Sequence, residues 1–195
     1  PAYKDFADKC LATSLRAWDW VQDSSNTKNY SIGAANRTYT FDDKGLEVST
    51  YWAAGALYRA LKAKGQDASK FETFLINNCN TENNLYCFNG GSVNYIQDGM
   101  AFLGFYHYLH NNDSANATVR NIFNEKFPKW RTRMFSYDQW GTDYPEWGYW
   151  WGSNKVIAQS AMSVQLGSML YDGDNNIPDE ALLTAESAFN YLLGI

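Results

Sequence analysis

The side chains able to carry acid–base, nucleophilic or metal chemistry are few and scattered. Asp98 opens an apolar run after an aromatic, glycine-containing stretch, and Asp138, Asp143 and Glu146 lie in a tryptophan-rich segment. Glycosidic cleavage needs two carboxyl groups across the scissile bond, one as acid and one as base or nucleophile. Nothing in the sequence pairs any two of these four, and each alone reads more simply as a solvated or capping carboxylate. His107 and His110 fall three apart on one helix face. Two ligands do not make a metal centre, and no Cys or Asp/Glu cluster joins them at ligand spacing, so they read as structural. Asp172, Asp174 and Asn176 alternate like the start of a calcium loop. Ile177 stands where that loop needs Gly and Leu183 where it needs Glu, so the segment reads as a turn before a helix. Neither a Walker-type phosphate loop nor a nucleophile elbow is present. No metal site is assigned and no cofactor is expected.

The densest chemical feature is Trp140 to Asn154, WGTDYPEWGYWWGSN, with four Trp and two Tyr. Gly141, Pro145, Gly148 and Gly152 break both the helical and the strand period, so the segment reads as a loop. Flat rings in a loop either cap a core or offer apolar faces to sugar C–H groups, bases or a partner.

Composition narrows the choice. The 195 residues suffice for one domain with a sizeable core, and aromatic content is high at 17%. A net charge of −5 without a basic patch argues against nucleic acid or an anionic membrane as partner. The apolar runs are too short and interrupted for a membrane span. The chain opens at Pro1 without a signal peptide, as a processed chain or part of a longer one would. Cys79 and Cys87 flank a polar stretch and are expected to close a short disulfide, leaving Cys10 over as a buried thiol or one with a partner elsewhere. Acceptor sequons occur at Asn29, Asn36, Asn112 and Asn116, each in a turn-like stretch. Together these predict a secreted glycoprotein.

The elements that must position these residues are helical. Helices are predicted over 1–22, 46–64, 68–77, 93–110, 116–127 (ending at Pro128), 155–171 and 178–193. In the first, Phe6, Cys10, Ala17, Trp18 and Val21 share a face. Gly65 suits the end of the second, where Ala53, Ala54, Gly55 and Ala56 would admit a closely packed neighbour. The helix over 93–110 is apolar on most faces, which suggests an inner position. The longest loops are 24–44, 78–91 and 131–153. No strand alternation and no regular repeat are found, so the fold class is all-α, built of helical hairpins in a layered or toroidal arrangement.

Several segments, in order, resemble glycoside hydrolase family 9, the cellulase family with an (α/α)6 toroid. They are Pro1-Ala2-Tyr3 with Ala17-Trp18-Asp19-Trp20, Trp52-Ala53-Ala54 with Leu57-Tyr58, Tyr149 to Asn154 (YWWGSN) with a small-residue helix, and Ala188 to Gly194 (AFNYLLG). The resemblance covers nearly the whole chain. It implies the middle to C-terminal part of a catalytic module, incomplete at both ends. By that resemblance, the catalytic Asp pair precedes the segment matching Pro1, and the general-acid Glu follows Ile195.

Substrate contacts are what the resemblance carries over. Trp151 matches a sugar-stacking tryptophan, Lys155 stands where some members have Arg, and Tyr95 and Asp98 lie near the family's substrate-binding loop. Trp147, Tyr149 and Trp150 join them by position in the loop. The family's Glu three residues before the WAA motif is Ser49 here, with Glu47 offset. Calcium occurs in some members; no residue set here marks a site. The expected role is as part of a secreted, inverting β-1,4-glucan hydrolase. The expected partners are glucan and the remaining segments of the module. Two rivals are a non-catalytic carbohydrate-binding toroid that has lost its carboxylates, and a toroidal lyase or glucoamylase-like hydrolase. A cleft for acidic polymers calls for Lys and Arg, where the tryptophan segment has Asp143 and Glu146.

Overall fold

The computed structural model describes residues 3–23, 25–26, 44–88, 100–136 and 153–193. Among them the helices are α1 (Lys4–Gln22), α2 (Lys44–Ala63), α3 (Ser69–Asn78), α4 (Glu82–Leu85), α5 (Met100–Leu109), α6 (Ala117–Ser136), α7 (Ser153–Asp172) and α8 (Asp179–Leu193), with a 3₁₀ turn at Tyr86–Phe88. No strand occurs among the described residues. The expectation of an all-α chain holds.

Helices α2, α5 and α7 form an inner row, α2 lying on α5 and α5 on α7. α1 and α3 pack against α2, α6 against α5 and α7, and α8 against α7. Inner and outer helices therefore alternate along the chain, as in concentric helical layers. α2 and α5 run in the same direction. Ser49 meets Met100 near their starts, Gly55 meets Gly104 midway, and the Tyr58 and Tyr108 rings meet near their ends. The approach is close because glycine faces glycine: a Cβ on Gly55 would lie 2.5 Å from the Gly104 carbonyl oxygen. The small residues at 53–56 thus do what their sizes predict.

α2 ends as Gly65 suggests. Gly65 takes the left-handed region at φ +67, the Gln66 N–H donates to the Leu61 carbonyl and the Gly65 N–H to that of Lys62. This double closure satisfies carbonyls the helix would otherwise leave open. The core beneath is aromatic. Phe88, Phe102, Phe105, Phe123, Phe127 and Trp130 are buried. Their rings touch in sequence, Phe123 and Phe127 stacking at 5.1 Å. Each such burial stabilises by roughly 1.5–3 kcal/mol.

Four expectations need correction. α6 does not stop before Pro128; it continues to Ser136. Pro128 removes one N–H, but Trp130 and Met134 beyond it are buried, and their packing outweighs the lost bond. The stretch 78–91 is not merely a loop: α4 and the 3₁₀ turn occupy it, α4 capped by Thr81, whose Oγ1 accepts from the Asn84 N–H. Within it Cys79 and Cys87 are free thiols, not a disulfide. The folded segment gives each thiol a carbonyl three residues back, Ile76 and Asn84 respectively, both at 3.2 Å. Burial raises the Cys79 thiol and pushes the Cys87 thiol well up, which keeps both protonated. Finally, Cys10 is exposed rather than buried. It and Phe6 line an open apolar groove between α1 and α2, about 720 Å³ in volume, walled also by Leu11, Trp18, Leu46 and Leu57. The predicted apolar face of α1 is real, but among its residues only Trp18 is fully buried, its ring edge-on to Phe71 and Phe74.

Candidate functional site

The topology makes the two ends of the helical row unequal. At one end the connections are short: 64–68 joins α2 to α3, 110–116 joins α5 to α6, and 173–178 joins α7 to α8. Short connections hold successive helices antiparallel. At this end His110 bridges α2 and the α7–α8 turn. Its Nδ1 lies 3.4 Å from the Arg59 guanidinium, its Nε2 lies 3.3 Å from Asp174, and the Tyr106 ring stacks on it.

The other end gathers the starts of α2 and α5, the start of α7 about 30 Å from its C-terminus by helix rise, and the finish of α6. The anchors are explicit. Glu47 on α2 accepts 2.5 Å hydrogen bonds from Thr81 Oγ1 and Asn83 Nδ2, which fixes α4 to it. The Ser49 hydroxyl donates to Met100 Sδ at 3.2 Å. Arg133 near the end of α6 donates to the Phe88 carbonyl at 3.0 Å. All three long connections attach here. The stretch 24–43 arrives at Lys44, 89–99 runs from Phe88 to Met100, and 137–152 runs from Ser136 to Ser153.

Those connections carry the residues singled out from the sequence. Trp147, Tyr149, Trp150 and Trp151 belong to 137–152, and Tyr95 and Asp98 to 89–99. All six lie outside the described residues, as do Asp138, Asp143, Glu146, Asn29 and Asn36. Lys155 lies in the first turn of α7, so its backbone belongs to the same end. Loop lengths carry this signal: apart from the short step from α3 into α4, long and short connections alternate, which puts the attachment points of the long ones at one end.

Two nearby positions change meaning. Both oxygens of Glu47 are engaged with α4, so its carboxylate is a structural tie. Ser49 spends its hydroxyl on pairing α2 with α5. Trp52 next to them is 37% exposed and offers part of its ring.

No group of three His, Cys, Asp or Glu able to hold a metal ion exists among the described residues. Asp172 is paired with Arg131, which also donates to Ser168 Oγ at 3.0 Å and lies over the Phe127 and Tyr171 rings. His107 faces inward; burial, then the Arg59 charge, holds its pKa below the usual histidine value, so it is neutral. No described helix is long and apolar enough to cross a membrane.

The arrangement is thus a helical row in which the long, aromatic-bearing connections attach at one end and tight turns lie at the other. A family model for glycosyl hydrolase family 9 matches residues 2–195. No curated protein and no solved structure matches the chain.

Proposed function

The chain belongs to glycosyl hydrolase family 9, and from that premise we propose that it forms part of the substrate cleft of a secreted enzyme that cleaves β-1,4-glucan. The observation that carries this reading is the attachment of all three long connections, including the tryptophan-rich one, at a single end of the helical row. Trp151 is the stacking platform, with Trp147, Tyr149 and Trp150 beside it and Lys155, Tyr95 and Asp98 as polar or aromatic contacts. Sugar rings present an apolar face to such platforms and hydroxyls to the polar rim. The catalytic Asp base and Glu acid come from other segments of the same module, and hydrolysis inverts the anomeric centre. The open groove between α1 and α2, and the exposed Leu182, Leu183, Phe189 and Leu193 of α8, support further helices of that module as neighbours.

The test uses the complete polypeptide that carries this chain. Incubated with cello-oligosaccharides, it should release new reducing ends of α configuration, read by proton NMR. Trp151→Ala should weaken glucan affinity roughly tenfold or more, about the 1–3 kcal/mol that loss of a stacked ring costs, with an unchanged melting temperature. Binding to glucan without any hydrolysis would instead identify a non-catalytic carbohydrate-binding toroid. Unchanged affinity in the Trp151 variant would remove the ring from the site.

A further inference from the structure

Two acceptor sequons lie four residues apart on the connection between α5 and α6, Asn112-Asp113-Ser114 and Asn116-Ala117-Thr118. Sequence treats them alike; their side-chain amides are placed very differently. A glycan is bulky and is attached through the amide nitrogen, so a glycosylated Asn fits this fold only where that nitrogen is spare and has space in front of it.

The Asn112 amide is spent. Its Nδ2 donates to the Tyr108 carbonyl at 2.9 Å and to the Tyr58 hydroxyl at 3.2 Å. An amide NH₂ has two hydrogens to give, and both are committed. Its Oδ1 accepts from Ser114 Oγ at 3.0 Å, and its backbone carbonyl accepts from Arg120 at 2.7 Å. The two tyrosines that receive its protons are buried, with their rings 4.8 Å apart. A sugar on Asn112 would have to displace one of these two bonds beside the buried tyrosine pair.

The Asn116 amide is spare. Its Oδ1 accepts from the Thr118 N–H at 2.8 Å and so caps α6. Its backbone N–H donates to the Tyr108 hydroxyl at 2.8 Å, which fixes the residue in place. Its Nδ2 has no partner among the described residues, and Ala117 and Thr118 beside it are exposed. Replacing one hydrogen on this nitrogen leaves the cap intact, because the cap uses the oxygen.

We propose that Asn116 is an N-glycosylation site of this protein and that Asn112, despite its sequon, is not. The donor is an oligosaccharide on a polyprenyl diphosphate. The amide nitrogen bonds to the sugar C1, the C1–O bond to the diphosphate breaks, the amide loses one proton, and the lipid diphosphate departs. The glycan then projects from the end of short connections, away from the end that bears the tryptophan segment. It shields the turns and leaves the cleft open.

This rests on the secretory part of the reading above and not on the substrate. The test is therefore made on the complete polypeptide, sent through a eukaryotic secretory route by the host's own leader. Glucan hydrolysis is scored separately, so either idea can fail alone. Secreted protein is treated with an N-glycosidase in ¹⁸O-water, which marks each formerly occupied Asn as heavy Asp, and peptides are mapped by mass spectrometry. The expected result is a heavy label at Asn116 and none at Asn112. Label at Asn112, or no label at Asn116, overturns the proposal. Thr118→Ala gives an independent reading. It removes the sequon but keeps the cap, so the protein should lose the mass of one glycan with its melting temperature and glucan affinity unchanged. An unchanged glycan count in that variant counts against Asn116.

Discussion

His107 shows how a residue with reactive chemistry is put to structural use. It sits on α5 with Nδ1 buried and no hydrogen-bond partner among the described residues. Burial first, and the Arg59 charge second, lower its pKa from 6.5. The unfolded chain therefore takes up this proton before the folded one does, and stability depends on that difference. The contribution is fully present above about pH 6.5 and is lost as pH falls toward the depressed folded value. The melting temperature should drop over that window, and His107→Gln should flatten the slope there; an identical slope would mean that other groups set the acid limit. From sequence the two histidines were alike, three apart on one face. Only tertiary placement separates His107, whose Nδ1 is shut in without a partner among the described residues, from His110, which spans Arg59 and Asp174. The cysteines make the same point. Spacing suggested a bridge, yet local helical carbonyls hold Cys79 and Cys87 as separate thiols.

At the scale of elements, the inner pair α2 and α5 depends on the absence of side chains where they cross. A Cβ on Gly104 would meet the Tyr51 carbonyl oxygen at 2.8 Å and its ring carbon at 2.5 Å, and one on Gly55 would meet Gly104 backbone. Backbone cannot swing aside as a side-chain tip can. Gly104→Ala should therefore destabilise by about 1–3 kcal/mol or more, the range for overpacking, read from urea denaturation midpoints. A change within ~0.5 kcal/mol, the scale of a neutral surface substitution, would show that the helices can part cheaply. Most helices were legible, because apolar periodicity and terminators such as Gly65 are local signals. The continuation of α6 past Pro128 was not. It is decided by Trp130 and Met134 finding burial against other elements, and a proline read in isolation says the opposite. The 3₁₀ turn and α4 were hidden for a related reason: a four-residue helix has no period to detect, and its anchors to Glu47 come from a distant helix.

Over the whole molecule, the family was legible as a resemblance, whereas the end of the helical row at which the tryptophan-rich stretch attaches was not. Loop residues have no period, so their location follows only from the helices that flank them. Once those are paired, the long connections fall at one end and Asn112 and Asn116 at the other. The three thiols offer a different kind of handle. Cys10 is exposed on the groove wall while Cys79 and Cys87 are shut in the core. The folded segment should consume one equivalent of an aromatic disulfide reagent at once and three after denaturation. The pace at which the second and third equivalents disappear under native conditions is then a clock for spontaneous opening of the core, readable with a spectrophotometer and no engineered label. Prompt release of all three equivalents from native protein would show that the clock does not run, because the interior already breathes. A bulky adduct on Cys10 would also report, by its fluorescence, whatever comes to rest between α1 and α2.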